Sequence, residues 1–177
     1  MKTVKELATD IVAREGGFVN DPADSGGATN HGVTLSTLRR LGLDITKDSH
    51  IDEADIRALS QAQAIEIFVE HYFRRPGIGN LPEPLQPSVF DMYVNAGSNA
   101  VKVLQRLLSQ MGFACEPDGQ IGPQTITAAQ SAFEAAPSHL VDAYGIARRN
   151  YYYSLADARP ASRKFARRRD GGKGGWI

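Results

Sequence analysis

Glu15 and Asp24 are the two residues on which chemistry can first be built. Glu15 closes a run of helical periodicity. Asp24 follows nine positions on, in a loop rich in Gly, Asp, Asn and Pro, and Thr29 comes five positions later. An acid at a helix end, followed by a second carboxylate and a hydroxyl on a tight loop, can hold a leaving group and a water on opposite sides of one bond. Paired carboxylates of this kind are the working parts of glycoside hydrolysis. Spacing alone leaves the plainer readings open. Glu15 could be a solvated last-turn glutamate, Asp24 an Asx-turn builder, and Thr29 a loop hydroxyl bonded to backbone.

The elements that would position these groups are helical. Val4, Leu7, Ala8, Ile11 and Val12 repeat at i, i+3, i+4, i+7 and i+8, which is one helix face. Gly16-Gly17 stops that helix, leaving Glu15 on its last turn. The macrodipole there disfavours negative charge, and partial burial would act in the same direction, so the expectation is a raised pKa and a retained proton. From Phe18 to Gly32 the turn formers Asp21-Pro22, Gly26-Gly27 and Asn30 predict a small irregular or β element, either short extended pieces or a hairpin around Gly26-Gly27.

Downstream, Thr34 or Ser36 caps a short helix through Leu41, Asp52 caps another, and Ser60 a longer one through Phe73. Residues 76–87 hold four of the nine prolines and mark a candidate boundary. Helices are then expected over 88–96, 99–111 and from Pro123 to about Ala135. A final one runs to about Ala156, with Ser138 as its cap. The expected fold is mainly α with a small irregular or β element near residues 18–35, and the proline-rich stretch ending at residue 87 divides it.

Composition removes several function classes. No apolar run is long enough to span a membrane, and the first residues lack the continuous apolar stretch of a secretory signal. Either the protein works in the cytoplasm or it leaves by a route the sequence does not encode. One cysteine, Cys115, excludes an internal disulfide and reads as a buried inert thiol. His31, His50, His71 and His139 are too scattered for a zinc site. The repeated acidic ligands of a calcium loop are missing around Asp21 and Asp24. Neither metal nor cofactor is expected. The net charge of zero hides a basic end: residues 148–177 carry 9 Lys+Arg against 2 Asp+Glu. That end reads as a solvated tail or as a patch weakly attracted to an anionic envelope. Arg167-Arg168-Arg169 lacks the aromatic set of a specific nucleic-acid binder.

The residues of EGGFVNDPADSGGATNHGVT, with Glu15-Gly16-Gly17, Asn20, Pro22, Asp24, Gly26-Gly27, Thr29 and Gly32, resemble the family-108 glycoside hydrolases. These are N-acetylmuramidases found among phage endolysins and related bacterial proteins. FDMYVNAGSNAVKVLQRLL from Phe90 and PDGQIGPQTITA from Pro117 resemble the peptidoglycan-binding-like region that follows in such proteins. The resemblance implies a lysozyme-like helical domain, with residues 1–87 as a muramidase catalytic region and residues 88–177 as a helical peptidoglycan-binding-like region packed with it as one unit. It implies cleavage of the β-1,4 bond between N-acetylmuramic acid and N-acetylglucosamine, with Glu15 as the catalytic acid, and action in the periplasm or cell wall after cytoplasmic synthesis and release or export. A phage-lysozyme set of Glu, Asp and Thr carries over to Glu15, Asp24 and Thr29, with Thr29 one position sooner than in that pattern.

Inversion is expected, with Asp24 and Thr29 holding the water. Asn95 reads as a contact to a sugar acetamido group or a backbone-satisfying amide. Tyr93 and Phe18 read as cleft-edge aromatics able to stack on a sugar, or as core. Peptidoglycan is the implied partner, with a holin or other export partner if the protein acts in lysis. Three rival readings are a non-catalytic wall-binding module, which binding without turnover would reveal, a lytic transglycosylase, which product mass separates, and a nucleic-acid-binding regulator, which rests on the basic tail alone.

Overall fold

The computed structural model describes residues 2–20, 27–159 and 163, and of Glu15 only the backbone. The chain forms two compact units, Met1–His71 and Tyr72–Ile177. Eight α-helices and one two-stranded sheet make up the regular structure of the described residues, with shorter π and 3₁₀ segments. The mainly α expectation and its small β element near residues 18–35 both hold.

In the first unit, α1 (Val4–Glu15) starts at Thr3. The Thr3 hydroxyl accepts from the Glu6 amide, while Glu6 reaches back to the Thr3 amide at 2.6 Å. This reciprocal box satisfies two of the helix's orphan donors. Ala8, Ile11 and Val12 are buried, as the periodicity required. They face α4 (Gln61–Phe68), which Ser60 and Gln63 cap in the same reciprocal way. The last turn of α4 widens into a π-helix over Val69–Arg74.

The expectation at Gly26-Gly27 falls partly on Gly26, which lies outside the described residues; the described hairpin comes just after it. Strands β1 (Thr29–Asn30) and β2 (Val33–Thr34) pair antiparallel with Asn30 opposite Val33, so the turn is His31-Gly32. Their φ values of 51° and 79° are those of a primed two-residue turn, whose twist matches that of the flanking strands. Thr34 then caps α2 (Leu35–Leu41) by accepting from the Thr37 amide.

Between α2 and α3 (Glu53–Ala58) the chain is held by buried Asp55. Its carboxylate accepts from the amides of Ile45, Thr46 and Asp52 at 2.7, 3.0 and 2.8 Å. Those amide bonds, with that from Thr46 foremost, hold its pKa down to about 2.

In the second unit, the proline-rich stretch makes two 3₁₀ turns, Ile78–Asn80 and Glu83–Leu85, that pack on α5 (Gln86–Ala96). Helix α6 (Asn99–Gln110) packs on α5 and on the long α8 (Pro137–Ala158). Helix α7 (Pro123–Ala135) packs on both α6 and α8. Ser138 does not cap α8: Pro137 already lies inside it and no side chain caps that end. The missing N–H of proline costs nothing at that position. Phe90, Met92, Leu104, Leu108 and Leu140 fill the core with Tyr144, whose hydroxyl donates to the Ala100 carbonyl at 3.1 Å.

The DG…GP…T motif closes around one buried amide. Gln105 Nε2 lies 2.7 Å from Asp118 Oδ1, 3.0 Å from the Gln120 carbonyl and 3.0 Å from Thr125 Oγ1. Its Oε1 accepts from the Gly119 amide at 2.8 Å. Gly119 has φ +84°, and a Cβ there would meet Lys102 Cε at 2.9 Å and Ser98 Cβ at 3.1 Å. Glycine is therefore required on both counts. Cys115 is buried beside Thr125, as an inert thiol would be.

Candidate active site

The site is built on the end of α1. Glu15 is the last helical residue, and Gly16 leaves the helix at φ 81°, ψ −166°. Among the described residues no atom would obstruct a Cβ at Gly16, and its backbone angle favours glycine there. The chain then crosses to the hairpin. Val19 N donates to Thr29 O and Thr29 N to Val19 O, each at 2.8 Å. This bridge fastens the two ends of the loop that carries Asp24. Asp24 itself lies outside the described residues, as does the basic end beyond Arg159 apart from Arg163.

Thr29 is half-buried, and among the described residues its hydroxyl donates to the Gly27 carbonyl, at 3.4 Å. That is a long contact for a hydroxyl donor. Its backbone is thus fully engaged while its Oγ1 is weakly held. The structure brings Phe18 and Thr29 onto the two paired stretches of one loop. Tyr93 and Asn95 stand on α5 in the second unit. Tyr93 is half-buried and meets Tyr72 edge to face, with ring centroids 6.5 Å apart. Asn95 is exposed, and its Nδ2 donates to the Asp91 carbonyl one turn back at 2.9 Å. Its amide N–H thereby serves its own helix.

Three residues that spacing did not single out hold this loop. Asn30 is buried, and its Nδ2 lies 2.9 Å from the Ile56 carbonyl and 3.3 Å from that of Leu59. It pins the hairpin to the end of α3. Glu53 accepts from Asn20 Nδ2 at 3.0 Å and from Arg57 Nε at 2.9 Å. The Arg57 guanidinium lies 4.1 Å from the Phe18 ring centre, a cation–π distance. One face of Phe18 is therefore covered by Arg57. The i, i+4 pair of Glu53 and Arg57 is visible in the sequence. Its meeting with residues 18–20 carries no sequence signal.

His31 serves the hairpin turn. Among the described residues no group of three His, Cys, Asp or Glu is placed to hold a metal. No helix there is long and apolar enough to cross a membrane.

The glycosyl hydrolase 108 family matches residues 8–97, half of the chain, and spans α1, the loop, the hairpin and α5. A family described as a predicted peptidoglycan domain matches residues 99–177, from α6 onward. Among solved structures, that titled "Structure of Brucella abortus SagA" is similar at 26% identity, with a TM-score of 0.69. The match covers 90% of this chain and 88% of that one. No curated protein matches the chain. The chain belongs to the glycosyl hydrolase 108 family: it is a peptidoglycan hydrolase, a glycosidase region followed by a peptidoglycan domain.

Proposed function

We propose that the protein is an N-acetylmuramidase that cuts the β-1,4 bond between N-acetylmuramic acid and N-acetylglucosamine, with Glu15 as general acid. The supporting observation is the placement of Glu15. It ends α1, immediately before a loop tied shut by the Val19–Thr29 bridge, inside the region matched by the glycosidase family. A protonated Glu15 gives its proton to the departing glycosidic oxygen as the C1–O bond breaks. Asp24 takes a proton from the water that adds to C1 from the opposite face, and the weakly held Thr29 hydroxyl orients that water. The product sugar is inverted. Asn95, through its side-chain oxygen, Tyr93 and Phe18 are substrate contacts in this reading. The protein acts in the periplasm or wall, and in a lytic setting a holin-like pore would release it.

The test is digestion of purified peptidoglycan by wild type and Glu15→Gln, with fragments read by mass spectrometry. Reducing N-acetylmuramic acid ends from wild type alone support the proposal. Anhydro ends, one water lighter, would replace it with a lytic transglycosylase. Equal digestion by Glu15→Gln would remove Glu15 from the chemistry. The anomer first formed, followed by NMR, decides inversion.

A further inference from the structure

The second unit carries a cavity of about 460 Å³ along the seam between α6 and α8, within the range of small-ligand sites. Its walls follow from helical periodicity. Val103, Arg106 and Gln110 stand at i, i+3 and i+7 on α6. Ala147, Asn150 and Tyr151 stand at i, i+3 and i+4 on α8. Each helix thus turns one stripe of side chains towards the seam. Val103 is buried, and Ala147 and Tyr151 are half-buried, making an apolar floor. Arg106, Gln110 and Asn150 are exposed along the rim. The Tyr151 ring meets the buried Tyr152 ring edge to face at 5.3 Å, so it forms a braced wall.

Charge selects the occupant. Among the described residues Arg106 is the one charged residue in the lining, and no described Asp or Glu stands with it. A guanidinium presents a planar fork of donors that matches a carboxylate. The side-chain amides of Gln110 and Asn150 each offer a donor and an acceptor, the pairing a peptide bond requires. A second cavity, beside α7 with Phe113, Pro123 and Gln124 in its wall, has no charged residue and so no such preference.

We propose that the α6–α8 groove binds the acidic stem peptide of peptidoglycan, with a peptide carboxylate on Arg106 and the peptide chain along Gln110 and Asn150. The inference rests on peptidoglycan being the polymer this chain acts on. Glycan strands stripped of peptide lack these carboxylates and peptide bonds. The groove would therefore hold the protein on peptide-bearing wall, independently of the sugar contacts at the cleaved bond.

The experiment is fluorescence anisotropy of the full-length chain with a stem tetrapeptide labelled at its amino end. A peptide with amidated carboxylates and a peptide-free glycan strand serve as comparisons. Saturable binding of the acidic peptide is expected. It should weaken roughly tenfold or more on amidation or in Arg106→Gln, the loss of one charge-assisted pair, and should disappear when Ala147→Trp fills the groove. Wild type that ignores the peptide, or binds the amidated form equally well, overturns the proposal without recourse to any variant. Peptidoglycan digestion by the same wild-type sample separates the two readings. Cleavage without peptide binding removes the groove and leaves the hydrolase. Peptide binding without reducing N-acetylmuramic acid ends removes the muramidase and leaves the groove.

Discussion

Val19 and Thr29 exchange both backbone hydrogen bonds at 2.8 Å, which fixes the mouth of a loop that starts just after Glu15 and contains Asp24. Thr29 therefore has two separable parts. Its backbone closes the loop, and its hydroxyl, 3.4 Å from the Gly27 carbonyl, contributes little to holding it. Thr29→Ala keeps the first and removes the second. We expect its melting temperature to stay within a few degrees of wild type, since a poor hydrogen bond is worth at most about 1 kcal/mol. Turnover should fall at least tenfold if the hydroxyl orients water. Unchanged kcat on peptidoglycan would take Thr29 out of the mechanism.

Glu53 and Arg57 act on the same loop from outside. Both are substantially exposed, so their ion pair adds only ~0–1 kcal/mol to stability. Arg57→Ala also frees Phe18, and Glu53→Ala frees Asn20. Each variant should unfold close to wild type in urea yet lose several-fold in peptidoglycan cleavage, because the segment after Glu15 loses its tie to α3. Losses of stability and activity in strict proportion would make the cluster merely structural.

Asp55 predicts an acid sensitivity. Its pKa is about 2 in the folded chain against an ordinary value near 3.8. A depressed carboxylate contributes stability that is fully present above the unfolded pKa and is lost as pH falls through the folded one. Asp55→Asn should therefore melt below wild type at pH 7, with the gap closing between about pH 4 and pH 2. A gap that is constant across that window would show that the charge of Asp55 is immaterial.

Gln105 ties the helix α6 to the turn before α7. Gln105→Ala strands the Gly119 amide and the partners of Nε2, and leaves a buried void. A cost of roughly 2–4 kcal/mol in urea unfolding follows from the lost hydrogen bonds and the cavity. Gly119→Ala should destabilise as well, through its positive φ and its crowding against Ser98. Near-neutral results for both would mean the turn can re-form without the amide.

Much of this fold was written locally. The α1 face of Ala8, Ile11 and Val12, the caps at Thr34, Asp52 and Ser60, and the helical start at Pro123 all follow from groups within four residues of one another. Hydrogen bonds of that range are set by chain geometry, so residue order reveals them. The turn at His31-Gly32 carries no such local mark, because histidine is not among the usual turn formers; the hairpin it closes is held from outside, by Asn30 on the Ile56 carbonyl.

By itself, then, the sequence determined the helix pattern, the helix-end position of Glu15 and the family likeness of its loop. Only the tertiary structure decided what holds that loop: Val19 against Thr29, Glu53 on Asn20, Arg57 over Phe18, Asn30 on the Ile56 carbonyl. These partners lie from ten to 39 residues apart in the chain. Contacts of that range form when separate elements pack, and they follow no period that a single sequence displays.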